Sequence, residues 1–260
     1  MIASSSPARP MADGHARGAV PRAVVAAIGL AWLLAVSTWA TGRAGALGHD
    51  HLLDSGRVPL LLAAGLFLCT WQVMVAAMML PSALPMVRLF NAVAARQRRH
   101  DGAMAAFLAG YAVVWTAFGA GAFALDAALH RAVAATPWLE ARPGLVGGAV
   151  LGLAGAFQFS ELKDRCLHTC RHPAAWLLPR YRRGPAAAFR LGRGHGLFCL
   201  GCCWALMLVM FAAGVADFVL MAALTAVMTY EKVGRESGLL TRLVGWTLLA
   251  WGAVTALASI

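Results

Sequence analysis

The chain predicts an all-α fold, a polytopic bundle of transmembrane helices, and three observations carry that expectation. Apolar residues make up 60% of the 260 and charged residues only 13%, against about 25% charged in an ordinary soluble domain. The mean hydropathy is +0.69. The apolar residues are also gathered into stretches close to the roughly 20 that a helix needs to cross a hydrocarbon core about 30 Å thick. In water such a chain would expose large contiguous apolar surface, so lipid is the expected solvent.

Residues 1–19, rich in Ala, Pro, Ser and Gly, read as a disordered cytoplasmic tail ahead of one transmembrane domain over 20–260. Seven apolar spans follow, at 20–40, 58–80, 103–125, 144–162, 196–213, 217–234 and 239–258. Pro81 and Pro85 are expected to stop the second, because proline removes a helix donor and clashes with the preceding turn. Glu161 closes the fourth. Residues 163–195 then form a Cys/His/Arg-rich cytoplasmic loop, and Gly214 with Asp217 turns the chain between spans five and six. Span one, with basic residues before it and Ala44-Gly45-Ala46 after it, also fits a cleaved signal peptide, which would leave six spans.

Lys and Arg set the orientation, because basic residues collect in cytoplasmic loops. Alternate loops carry 18 on one side and four (Arg43, Arg57, Arg131, Arg142) on the other. The expected topology is a multi-pass protein of the bacterial cytoplasmic (inner) membrane, its N-terminus in the cytoplasm and its C-terminus outside. The net charge of +11 therefore reflects topology, and no nucleic-acid partner is expected.

The unusual chemistry lies in six cysteines: Cys69, Cys166, Cys170, Cys199, Cys202 and Cys203. Five fall at or near the cytoplasmic face, where thiols stay reduced and available as ligands. Cys69 lies mid-span and reads as a small buried apolar residue. Around Cys166 and Cys170 stand His168 and His172. In a helix the two cysteines share a face; in an extended segment all four residues do. The second constellation is His195, Cys199, Cys202, Cys203, Met207 and Met210, whose sulfur atoms form one stripe on a helix. Three cysteines within five residues are hard to explain by packing alone.

The candidate metal ligands are thus Cys166, Cys170, His195, Cys199, Cys202, Cys203 and Met207. Met74 and Met78, one turn apart on span two, and Glu231, at the end of span six, support them. Thiolate and thioether ligands favour Cu(I), whereas thiolate with imidazole favours Zn(II). No haem is expected, since no histidine is placed near a span centre, and no central carboxylate suggests a proton-coupled pump. On the outer side His49, Asp50, His51 and Asp54 read as a solvated loop.

These blocks resemble a bacterial family of unknown function catalogued as predicted metal-binding integral membrane proteins. The resemblance rests on Trp71-x-x-Met74-x-x-x-Met78-Met79-x-Pro81, on Lys163-x-x-Cys166-Leu167-x-x-Cys170-Arg171-x-Pro173, on Gly194-His195-Gly196-x-x-Cys199-x-Gly201-Cys202-Cys203-Trp204-x-x-Met207 and on Glu231-Lys232. It implies a membrane location and metal binding but neither a reaction nor a substrate. The expected function is soft-metal handling or delivery at the cytoplasmic face. The alternatives are a membrane thiol–disulfide oxidoreductase using Cys199 and Cys202, at the N-terminal start of span five, and a non-catalytic assembly partner in the membrane.

Overall fold

The computed structural model describes residues 19–42, 59–213, 217–234 and 237–260. Nearly all of the tail 1–19, the His49/Asp50/His51/Asp54 cluster and Gly214 lie outside them. Among the described residues there is no strand. Ten α-helices follow one another among these residues: α1 (Arg22–Ala40), α2 (Leu60–Ala94), α3 (His100–Ala134), α4 (Pro137–Glu140), α5 (Pro143–Phe157), α6 (Glu161–Arg171), α7 (Pro173–Leu177), α8 (Pro185–Ala213), α9 (Phe218–Val233) and α10 (Ser237–Leu257).

Among the described residues five helices, α1, α2, α3, α8 and α10, are long and apolar enough to cross a membrane. The pair α5 and α6, bent by 61° at its junction, makes a sixth if it counts as one broken span. The expected count of seven is therefore slightly high. The seventh candidate, α9, has 16 residues, about 24 Å at the helical rise, short of a full crossing.

Three local expectations change. Helix α2 runs on to Ala94 through Pro81 and Pro85. Proline is tolerated in a membrane helix when a neighbour satisfies the backbone group it frees. Here the carbonyl four residues before Pro81 is that of Ala77, and it accepts a 3.0 Å hydrogen bond from the Trp32 indole of α1. Glu161 does not close a span but opens α6, which Ser160 caps by accepting the Lys163 N–H at 3.2 Å. Residues 163–195 are folded as α6, α7, a 3₁₀ turn (Leu178–Arg180) and the first turns of α8.

Helix α8 is the hub, packed against α3, α5, α6 and α9. Its approach to α3 is so close that Gly110 faces the Phe189 carbonyl and Gly192 the Phe107 carbonyl, leaving no room for a Cβ at either. Small residues serve the same purpose between α5 and α10, where a methyl on Gly148 would sit 2.7 Å from the Gly252 carbonyl. Such contacts hold membrane helices together by close backbone packing, since lipid provides little hydrophobic drive.

Candidate metal centre

Helix α8 starts at Pro185, well before the expected start at residue 196. Gly192, Gly194 and Gly196 do not break it; they lie against Phe107, Trp176 and Val114. Fourteen residues, about 21 Å, then separate the helix start from Cys199. The three cysteines are mid-helix and completely buried. The positive end of the helix dipole is too remote to act on them, which removes the placement argument for a redox C-x-x-C pair.

Cys199 is the most heavily engaged of the three. Its Sγ lies 3.0 Å from the Tyr111 hydroxyl of α3 and accepts from the Lys232 ammonium of α9 at 3.1 Å. The thiols of Cys202 and Cys203 both donate back to the Cys199 carbonyl, at 3.1 and 2.8 Å. Cys203 Sγ also lies 3.6 Å from the thioether sulfur of Met79 on α2. From the other side α6 brings Cys170, buried, to within hydrogen-bonding reach of Cys202. Cys166, half-buried, lies over Gly201, where any side chain would displace it.

The candidate sulfur residues lie in or against one core. Met74, Met78, Met79, Met207, Met210, Cys170, Cys199, Cys202 and Cys203 all belong to a single buried apolar cluster, joined by Met221 and Met228 of α9. His195, one turn before Cys199, is buried too. Its ring stacks on Tyr111 and Phe107, with centroids 5.5 and 6.2 Å away, and its Nε2 has no hydrogen-bond partner among the described residues. Cys69 is exposed at the surface of α2, apart from the others.

Glu231 is engaged elsewhere. Its carboxylate accepts both Lys163 hydrogen bonds, at 2.9 and 2.8 Å, and one from the Thr241 hydroxyl at 3.0 Å. Its carbonyl accepts from Arg171 Nε at 2.8 Å. Lys163 also donates to the Gln158 side chain. Both ends of α6 are thereby fastened to one residue of α9, and this holds the Cys166/Cys170 face against α8.

Sequence reasoning omitted Met79, Lys232, Lys163, Tyr111 and Ser82 from the site. Met79 follows Met78 directly, and a strict one-turn spacing selected Met74 and Met78 in its place. Glu231 with Lys232 reads either as an interfacial anchor or as a supporting group for a site, and nothing in a single sequence joins Tyr111 to Cys199.

Among the described residues no three His, Cys, Asp or Glu side chains converge tightly enough to enclose an ion as they stand. In this structure Cys202 and Cys203 direct their S–H groups at the Cys199 carbonyl. What the cluster offers is soft donors of low coordination number in an apolar surrounding, a set suited to a soft monovalent ion.

A family model described as PpoB2, copper chaperone, matches residues 68–255. The chain belongs to the PpoB2 copper chaperone family. No curated protein and no solved structure matches it. The copper chaperone match runs from α2 into α10 and contains every candidate ligand, from Met74 to Glu231; α1 lies outside it.

Proposed function

We propose that this chain carries Cu(I) as cargo, bound within the membrane bundle by thiolates of α8 and released to an acceptor on the cytoplasmic side. The observation that carries the reading is the burial of Cys199, Cys202 and Cys203 with Cys170 and the Met79 thioether in one core, in a chain of a copper chaperone family. Thiolate and thioether are the ligands that Cu(I) prefers over harder donors. Cys202 and Cys203 are the principal ligands, Met79 a third donor, and Cys166 and Cys170 the path by which the ion enters or leaves along α6. His195, Met74, Met78 and Met207 complete the surroundings. Glu231 holds α6 in place through Lys163 rather than touching the ion. The basic loops face the cytoplasm of a bacterial inner membrane, as the charge asymmetry supports.

The test is an anaerobic Cu(I) titration of detergent-purified protein against a chromophoric Cu(I) chelator, with Zn(II) as a second metal. Wild type should withdraw Cu(I) from the chelator. C202S/C203S should bind about 100-fold more weakly, roughly 2.7 kcal/mol. Folded wild type that leaves the Cu(I) with the chelator, or equal affinities in the two proteins, would overturn the proposal.

A further inference from the structure

The basic residue nearest the thiols is buried without an acid. Lys232 is 6% exposed, and its ammonium donates to two groups, Ser82 Oγ at 2.8 Å and Cys199 Sγ at 3.1 Å. Among the described residues no carboxylate is within ion-pair distance of it, and the adjacent Glu231 is occupied by Lys163. Taking a charge out of water is costly unless an opposite charge meets it. Lys163 meets that demand with Glu231. Lys232 faces only a hydroxyl and a cluster of sulfur atoms, and the anion that balances it has to come from the sulfur.

We infer that Lys232 is the built-in counter-charge of the loaded site and selects for a metal complex of net charge −1. The inference rests on the Cu(I) reading above. With Cys199 remaining a thiol, the Cys202 and Cys203 thiolates carry −2 and Cu(I) carries +1, so the cuprous dithiolate is a monoanion, and Lys232 makes the buried assembly neutral. The two protons leave to solvent as the thiols become ligands. A dithiolate of a divalent ion such as Zn(II) is already neutral, and beside it the ammonium stays unbalanced. In a water-poor interior this difference is large, because Coulomb energies rise as the effective dielectric falls. Lys232 is then a positioning and specificity residue; it needs no bond to the metal. Ser82, reached from the proline-containing turn of α2, aims the ammonium at Cys199.

The experiment measures Cu(I) and Zn(II) affinities of detergent-purified wild type, K232M, K232R and K232Q, with helicity and thermal unfolding as checks on folding. Loss of a group beside the ligands lowers metal affinity about 10- to 100-fold. K232M should show that loss for Cu(I) and less than about a threefold change for Zn(II), while K232R stays within about threefold of wild type for both. K232Q keeps a donor for Ser82 without the charge and gives the same reading should K232M not fold. Equal loss of both metals in K232M and K232Q, or Cu(I) affinity unchanged in either, would overturn the inference. Failure of wild type to bind Cu(I) would instead overturn the function it rests on.

Discussion

The Sγ of Cys203 on α8 lies 3.6 Å from the Sδ of Met79 on α2, and this contact brings a thiol and a thioether from different helices into one buried centre. The contact depends on α2 continuing unbroken past Ala77, which the Trp32 indole makes possible by taking up the carbonyl that Pro81 cannot use.

If Met79 is a donor to the ion, M79L keeps the volume and loses the sulfur. Its Cu(I) affinity should fall about tenfold, roughly 1.4 kcal/mol. M86L, in the separate cluster around Phe90 and Phe107, should leave the affinity unchanged. Competition titration of the two variants side by side gives the comparison.

The Lys163–Glu231 pair is fully buried, and removal of one partner strands the other. E231Q should lower stability in detergent by an amount on the order of 3–5 kcal/mol, whereas the double apolar replacement K163M/E231L recovers much of it. Thermal unfolding of both variants measures this. A double variant as unstable as the single one would show that the pair does more than compensate charge.

His195 has a buried ring nitrogen without a hydrogen bond to any of the described residues. H195F preserves the stacking on Tyr111 and Phe107, so its unfolding temperature should stay close to that of wild type, a cost below about 1.5 kcal/mol. Its Cu(I) affinity should fall if the nitrogen faces the ion during loading. Unchanged affinity would assign the histidine to packing alone.

The close contact of α5 with α10 predicts a contrast between two glycines of one helix. G148A drives a methyl into the Gly252 carbonyl, while a Cβ on Gly152 meets nothing. Overpacking of this kind costs about 1–3 kcal/mol, and G152A should lie within about 0.5 kcal/mol of wild type. Denaturation in detergent separates them.

The membrane architecture was readable from the sequence because apolar run length reports directly on helices in lipid. The sulfur stripe of α8 was readable too, since Cys199, Cys203 and Met207 repeat at helical spacing. The local pattern was less informative wherever a distant residue decides the outcome. Pro81 reads as a stop until Trp32 is seen to supply the missing bond. Gly194 and Gly196 read as breakers until their neighbours Trp176 and Val114 show that they are packing surfaces. Lys163 falls within the expected cytoplasmic loop, and its burial follows from Glu231, 68 positions away. Lys232 escaped for the same reason, as no single-sequence pattern places it beside Cys199.

The most direct test of a thiol-held copper cargo is metal analysis of protein purified from copper-supplemented cells, wild type beside C199S/C202S/C203S. The account predicts about one copper per wild-type chain and almost none in the folded triple variant, since ligand loss removes the site. Copper-free, folded wild type, or a triple variant that retains its copper, would contradict it.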